Sequence, residues 1–252
     1  SYNIYGDLNN NITLFIHGFL GSGEDWHKII NNRPHDQCFI TIDLPGHGKS
    51  LINDVKFYSF DKTSELIFSL LAQLKIKSCH IVGYSLGGRI ALYTYLKNPD
   101  QFHKISLEST SPGILNTDDR VNRIDLDLQW NKKLLSISLL DFLNEWYDQP
   151  LFSSLKKHTA FKTLLKRRMI NSSQYLSKAL MGFSVGKMIP FDERLYTIKA
   201  PLHFISGELD EKYVRIGRER FKNVTNFKQS TIKNVGHNIH LEYDDDYLKL
   251  IL

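Results

Sequence analysis

The chain has 252 residues, of which 42% are hydrophobic and 23% are charged, a composition typical of a globular protein rather than a disordered one. Its formal net charge of +5 comes from scattered Lys and Arg residues, and the densest cluster, Lys166-Arg167-Arg168, lacks the interleaved aromatic residues of a single-strand nucleic-acid binder. We therefore expect no nucleic-acid partner, and an anionic small molecule stays open as a ligand.

Three features of the sequence predict a cytoplasmic protein that does not enter a membrane. No apolar run approaches the roughly 20 residues of a membrane-spanning helix, and the polar residues 1–11 lack the layout of a signal peptide. Cys38 and Cys79 each adjoin an apolar, strand-like run. Such positions predict buried free thiols in a reducing compartment rather than a disulfide or a metal pair.

Short apolar runs alternate with longer helical patterns, which is typical of a parallel α/β sheet. In chain order, strands are predicted at residues 12–16, 39–42, 79–82, 105–107, 202–205 and 229–232. Leucines at positions 66, 70, 71 and 74 have helical spacing, which predicts a helix over 60–74 with Ser59 as its N-cap. Another helix is predicted from about residue 88 to the Asn98-Pro99 pair.

Between residues 112 and 185 the rhythm of strands is lost. Apolar residues there suggest consecutive short helices, and they are Leu126, Leu128, Trp130, Leu134, Leu135, Leu139, Leu140, Phe142, Leu143 and Trp146. We interpret residues 112–185 as a helical cap insertion that folds over the edge of the sheet. Residues 1–111 and 186–252 then form the core of a single α/β domain, a mostly parallel sheet flanked by helices.

The strongest local signal is Gly83-Tyr84-Ser85-Leu86-Gly87, a G-x-S-x-G motif between a predicted strand and a predicted helix. A serine at such a sharp turn projects its hydroxyl into a cleft, and the flanking glycines let the backbone pass without clashes. The helix N-terminus favours negative charge, so the Leu86 N–H can donate to a developing oxyanion. Phe19 follows the first buried strand, where its N–H can act as the second donor.

Two further residues complete a predicted catalytic triad. Asp210 follows the fifth strand and His237 follows the last, so the chain order is Ser, Asp, His, as the α/β-hydrolase architecture requires. His47 is the alternative base, and Glu208 is the alternative acid. His237 and His240 have no suitably spaced carboxylate or cysteine partner, so we expect no metal and no other cofactor.

With these residues, essentially the whole chain resembles the α/β-hydrolase superfamily and, more narrowly, the 2-succinyl-6-hydroxy-2,4-cyclohexadiene-1-carboxylate synthases of menaquinone biosynthesis. The residues that carry the narrower resemblance lie at 17–19, 43–48, 83–89, 129–130, 146–155 and 236–240. It implies a lyase that removes pyruvate from 2-succinyl-5-enolpyruvyl-6-hydroxy-3-cyclohexene-1-carboxylate. Ser85, activated by His237 and oriented by Asp210, would act as the base without forming an acyl-enzyme. Because only about ten residues precede the first buried strand, we expect the usual leading hairpin to be short.

The substrate implied by this resemblance carries three carboxylates, and the chain offers three arginines at matching positions. Arg89 lies one turn after the serine, and Arg123 and Arg168 come from the insertion. Each can form a charge-assisted hydrogen bond with a carboxylate. Arg120 and Arg167 are the neighbours that could take the places of the latter two.

Tyr84, Trp146 and Tyr147 would complete the implied pocket.

Two other functions stay open from the sequence: a carboxylester or thioester hydrolase that works through an acyl-serine, and a hydrolase-fold binding protein without turnover. An ester pocket would be mostly apolar and would have little use for three arginines. A binding protein would have no need of a complete triad. No obligate protein partner is inferred.

Overall fold

The computed structural model describes the backbone of residues 1–252 and the side chains of all of them except 244 and 245. Seven strands form one sheet in the order β1-β3-β2-β4-β5-β6-β7. β1 runs antiparallel to β3, and the other neighbouring strands run parallel. The strands are β1 (Tyr2–Tyr5), β2 (Asn11–Ile16), β3 (Gln37–Ile42), β4 (Cys79–Tyr84), β5 (Phe102–Glu108), β6 (Leu202–Gly207) and β7 (Phe227–Ile232).

Helices flank the sheet and fill the long connection between β5 and β6. The α-helices are α1 (His27–Asn31), α2 (Phe60–Gln73), α3 (Leu86–Lys97), α4 (Thr117–Ser136), α5 (Leu139–Tyr147), α6 (Ser153–Lys157), α7 (Phe161–Arg168), α8 (Ser173–Gly182), α9 (Asp192–Leu195), α10 (Glu211–Arg220), α11 (Ile239–Glu242) and α12 (Asp244–Ile251). Short 3-10 helices lie at Gly23–Trp26, Val55–Phe57, Pro99–Gln101 and Pro150–Phe152. Within the part of the chain that the structure describes, no helix is both long and apolar enough to span a membrane.

The six predicted strands and both predicted helices are confirmed, most of them with longer bounds. Ser59 caps α2 as expected, because its Oγ accepts a hydrogen bond from the Lys62 N–H at 3.2 Å. β1 was missed, since Tyr2–Tyr5 is an exposed to half-buried edge strand without an apolar run. The expectation of a short leading hairpin is wrong, because β1 pairs with β3 rather than with β2.

Both faces of the sheet are covered by apolar side chains, as a parallel sheet requires. On one face, Ile67 of α2 and Ile90 of α3 belong to a large cluster that also contains Cys38 and Cys79 as buried free thiols. On the other face, Trp26 packs with Tyr247 of α12. Because both faces are packed, the sheet is rigid, and it holds the carboxyl ends of its parallel strands in fixed positions.

The connection between β5 and β6 has an apolar interior of its own, which joins the core through Leu20 and Leu241. α4 is 20 residues long and is not one of a series of short helices; its sequence contains no Gly or Pro that would interrupt it. Several leucines expected to be apolar contacts are more than a third exposed: Leu126, Leu128, Leu135 and Leu140. The boundaries at residues 112 and 185 stay a prediction.

Candidate active site

Ser85 lies at the sharp turn between β4 and α3. Its backbone has a φ of +50° and a ψ of −107°, a combination that few residues with a side chain adopt. The turn is tightly packed, because a Cβ on Gly87 would lie 2.2 Å from the Ile16 carbonyl oxygen and one on Gly83 would lie 2.4 Å from the Gly87 carbonyl oxygen. These contacts explain why glycine occupies both positions of the motif.

The imidazole of His237 connects Ser85 to Asp210. Its Nε2 is 3.2 Å from the Ser85 Oγ, and its Nδ1 is 2.6 Å from the Asp210 Oδ2. Both His237 and Asp210 are buried, and the ring of Tyr213 packs against the imidazole at 4.8 Å. The loops after β4, β6 and β7 thus bring the three predicted residues into one hydrogen-bonded chain.

The alternative acid and the alternative base make other contacts. The Glu208 Oε2 accepts a hydrogen bond from the Asn234 N–H at 3.1 Å. His47 packs against His17 and Phe19, with its Nδ1 3.1 Å from the Pro45 carbonyl oxygen. Burial lowers the pKa of His47 well below its ordinary value, and the neighbouring His17 lowers it further. The His47 imidazole is therefore uncharged, and it packs between these loops.

Two backbone N–H groups border Ser85. Leu86 is the first residue of α3, so its N–H has no acceptor within the helix. Phe19 follows Gly18, and a Cβ built on Gly18 would lie 3.5 Å from the Ser85 Cβ. The peptide N–H of Phe19 therefore lies close to Ser85. Among the described residues, neither amide has a hydrogen-bond acceptor. Both can therefore donate to a substrate oxygen on which negative charge develops.

A cavity of about 610 Å³ adjoins Ser85. The predicted site residues that line it are Phe19, Tyr84, Ser85, Leu86, Arg89, Arg123, Trp146, Tyr147, Arg168 and His237. Asp210, the remaining one, is hydrogen-bonded to His237. Tyr213, Lys212, Arg215 and Arg220 also line the cavity and were missed. Lys212, Tyr213 and Arg215 could have been found from their position, because the first turns of α10 directly follow Asp210, whereas Arg220 is the last residue of that helix.

Arg89 has few partners within the protein. Its Nη2 donates to the Phe183 carbonyl oxygen across 3.4 Å, and its buried Nε has no hydrogen-bond partner among the described residues. Burial, together with repulsion from Arg123, lowers the pKa of Arg89 to about 10. The side chain is still protonated at neutral pH and can donate to an anion in the cavity.

Arg123 and Arg120 lie on the same helix but make different contacts. The Arg123 Nε donates to the Asp127 Oδ1 at 2.8 Å, and the side chain is 33% exposed, so its remaining N–H groups are available to a ligand. The Arg120 Nε donates to the Gly186 carbonyl oxygen at 3.1 Å. Of this pair, Arg123 is the cavity residue.

Arg168 lines the cavity but is already paired within the protein. Its Nη1 and Nη2 donate to the two carboxylate oxygens of Asp25 at 2.6 and 2.7 Å, and its Nε donates to the Tyr147 hydroxyl at 3.1 Å. Three of the five guanidinium N–H groups are therefore engaged. Two N–H groups are left for a substrate carboxylate. Arg167 approaches the same carboxylate at 3.5 Å.

Asp25 was missed because its partner lies 143 residues away and no local pattern connects the two. Burial alone would raise the pKa of this carboxyl, but the charge and hydrogen bonds of Arg168 outweigh that effect and lower it to about 2. The same pairing raises the pKa of Arg168 despite its burial. A fixed charge pair thus joins α7 to the segment after β2.

The chain is similar to known proteins over most of its length. The α/β-hydrolase-fold family model matches residues 12–244. A 2-succinyl-6-hydroxy-2,4-cyclohexadiene-1-carboxylate synthase from Enterobacter sp. strain 638 is 31% identical, covering 91% of this chain and 85% of that protein. This chain belongs to that synthase family, within the α/β-hydrolase fold.

Other members of the synthase family give the same result. The synthase from Photorhabdus laumondii is 30% identical over 90% of this chain and 79% of its own length. The solved structure of MenH from S. aureus superposes with a TM-score of 0.92 at 33% identity, covering 99% of this chain and 96% of that one. Because 99% of this chain is covered, the match includes the helical segment between β5 and β6 as well as the sheet.

Proposed function

We propose that this protein is a 2-succinyl-6-hydroxy-2,4-cyclohexadiene-1-carboxylate synthase, a lyase of menaquinone biosynthesis. It would eliminate pyruvate from 2-succinyl-5-enolpyruvyl-6-hydroxy-3-cyclohexene-1-carboxylate and leave a conjugated diene. Membership of the synthase family supports the proposal. The observation that carries it is a serine, hydrogen-bonded to a buried His–Asp pair, that opens into a cavity lined by arginines.

The proposed reaction begins with removal of a proton from the carbon beside the succinyl ketone. Ser85 takes that proton as its own hydroxyl proton passes to the Nε2 of His237, which lies 3.2 Å away. Asp210 orients the imidazole and stabilises its positive charge. The electrons of the broken C–H bond form a double bond between C2 and C3, the ring double bond shifts from C3–C4 to C4–C5, and the C–O bond from C5 to the enolpyruvyl group breaks with its pair on oxygen. Pyruvate forms when this enolate takes up a proton.

The backbone supports the charge that develops during this step. As the proton leaves, negative charge moves onto the ketone oxygen of the succinyl group. The free N–H groups of Phe19 and Leu86 lie beside Ser85 and can hold that oxygen. No acyl-enzyme is needed, because the serine acts as a base rather than as a nucleophile toward a carbonyl carbon.

The cavity arginines would bind the three substrate carboxylates. Arg89 and Arg123 retain free N–H groups, and each charge-assisted contact contributes on the order of 1.5–3 kcal/mol. Arg168 has two N–H groups left for a ligand, so its contribution is limited by its pairing with Asp25. Tyr84, Trp146 and Tyr147 supply the apolar and aromatic walls.

The proposal is tested by supplying the enolpyruvyl substrate and following pyruvate release and diene absorbance. We expect Ser85→Ala to lower kcat by roughly a thousandfold or more while substrate still binds, since general-base removal costs about this much. Ser69→Ala, the same change on the exposed face of α2, is the matched control. Near-wild-type elimination by Ser85→Ala would contradict the base assignment.

A parallel assay with a nitrophenyl ester addresses the hydrolase alternative. Efficient ester cleavage without pyruvate elimination by the wild-type protein would favour a carboxylester hydrolase that uses an acyl-serine. We expect the opposite ranking of the two rates, because the cavity is lined by charged arginines and not only by hydrocarbon.

We also propose a cytoplasmic location and an anionic small-molecule substrate as the partner. The buried, unpaired thiols of Cys38 and Cys79 support a reducing compartment. The absence of nucleic-acid, membrane and obligate protein partners stays a prediction. Fractionation of the producing cells, followed by immunodetection of the chain, would contradict the location if the protein were found outside the cytoplasm.

A further inference from the structure

A second carboxylate–imidazole pair lies next to the triad, and the proposed reaction does not use it. Glu108, the last residue of β5, is fully buried. Its Oε1 is 2.8 Å from the His240 Nδ1 and accepts a hydrogen bond from the His240 backbone N–H at 3.2 Å. Its Oε2 accepts a hydrogen bond from the Tyr247 hydroxyl at 2.7 Å. His240 and Tyr247 are also buried.

Glu108 contacts both of the segments that meet at the Ser85–His237 hydrogen bond. Its carbonyl oxygen accepts the Ser85 N–H at 2.9 Å, and its register in the sheet places it opposite Tyr84. Its side chain binds His240, which lies in α11 only three residues after His237. One residue therefore connects the serine turn, through its backbone, to the histidine segment, through its carboxylate.

Aromatic packing makes this connection rigid. The ring of Tyr84 contacts both imidazoles, with centroids 5.3 Å from His237 and 4.8 Å from His240. Trp26 also packs on His240, at 4.3 Å. Close-packed interiors do not deform gradually, so a shift of His240 would move Tyr84 and His237 with it.

We propose that Glu108 is a positioning residue of this enzyme. Its carboxylate, acting through His240, holds the loop of His237 at the distance from which Nε2 reaches the Ser85 Oγ. A displacement of about 1 Å in such a pair can slow a reaction by about a hundredfold. The inference rests on the proposed function for the elimination reaction, but the serine–imidazole geometry can be measured without it.

Two variants of Glu108 separate the geometry from the negative charge. In Glu108→Gln the side-chain oxygen still accepts from His240, and the amide can donate to the Tyr247 oxygen. Glu108→Leu keeps an apolar, branched side chain at this position but cannot accept a hydrogen bond. Tyr247→Phe is the matched control, because it removes the hydrogen bond to Oε2 of the same carboxylate and leaves the contacts of Oε1 with His240.

The test measures the rate at which an alkyl fluorophosphonate labels Ser85, together with kcat and KM for pyruvate elimination. We expect Glu108→Leu to lower the labelling rate and kcat by about tenfold to a hundredfold with KM within about twofold. Glu108→Gln and Tyr247→Phe should stay within about threefold of wild type in both rates. If Glu108→Leu is labelled at the wild-type rate, the proposal is overturned. It is also overturned if Glu108→Gln is as slow as Glu108→Leu, because the effect would then come from the negative charge.

His240→Phe keeps the proposal testable if Glu108→Leu does not fold. This variant retains a ring between Trp26 and Tyr84 and the backbone N–H to Glu108, but it loses the Nδ1 contact. We expect about threefold to tenfold slower labelling, and a wild-type rate in the folded variant overturns the proposal. The protein could fail to release pyruvate while its labelling rate still depends on Glu108. That result would support the positioning role and contradict the proposed function.

Discussion

The buried pair between Asp25 and Arg168 predicts a defined loss of stability in acid. The pKa of Asp25 falls from 3.8 to about 2 in the folded protein. A carboxyl group with a depressed pKa contributes stability above its unfolded pKa, and this contribution disappears as the pH falls through the folded pKa. The difference between 3.8 and about 2, at about 1.4 kcal/mol per pH unit, corresponds to about 2–3 kcal/mol, lost progressively between about pH 5 and pH 1.

Asp25→Asn tests this value, because it preserves the volume and removes the charge. Arg168 is only 2% exposed, so the variant leaves a buried guanidinium without its ion partner. We expect a loss of about 3–5 kcal/mol in the free energy of unfolding at pH 7. The difference from wild type should shrink by about 2 kcal/mol at pH 2, since the wild-type carboxylate is then about half protonated.

Urea unfolding followed by tryptophan fluorescence at pH 7, 4, 3 and 2 measures both quantities. Glu24→Gln removes the exposed neighbouring carboxylate and is the matched control, with a pH dependence close to that of wild type. If wild type and Asp25→Asn lost stability in parallel between pH 4 and pH 2, the ion pair would contribute no pH-linked stability. The reasoning from the depressed pKa would then be refuted.

Two further predictions concern the cavity and the sheet. Arg123→Ala should raise KM by roughly 10- to 100-fold with a smaller change in kcat, because it removes one charge-assisted contact of about 1.5–3 kcal/mol. Arg120→Ala is the control. An unchanged kcat/KM for Arg123→Ala in the pyruvate assay would show that Arg123 does not bind the substrate. Ser59→Ala should lower the free energy of unfolding by about 1 kcal/mol through loss of the α2 N-cap; an unchanged urea midpoint would show that this cap adds nothing.

Features encoded within a few neighbouring residues could be predicted from the sequence. Apolar runs located the parallel strands, and the G-x-S-x-G motif placed Ser85 at the start of α3 because a strand, a turn and a helix are all local structures. The order of strand ends then brought Asp210 and His237 to the same edge of the sheet. Arg89 followed from the geometry of one helical turn.

Features that join distant segments could not be predicted. The bond from Arg168 to Asp25 spans 143 residues, and the bond from His240 to Glu108 spans 132. Each depends on how α7 or α11 packs against the sheet, and neither residue type nor spacing encodes that packing. β1 was missed for a different reason, because an edge strand half-exposed to water needs no buried apolar run.

The unusual backbone of Ser85 has a consequence for the durability of the protein. Glycine populates positive φ without a steric penalty, whereas a serine held there costs about 1–3 kcal/mol. Among variants that lack the hydroxyl, Ser85→Gly should therefore unfold at a higher urea concentration than Ser85→Ala. The strained backbone thus lowers the free energy of unfolding at the residue whose hydroxyl group the proposed reaction requires.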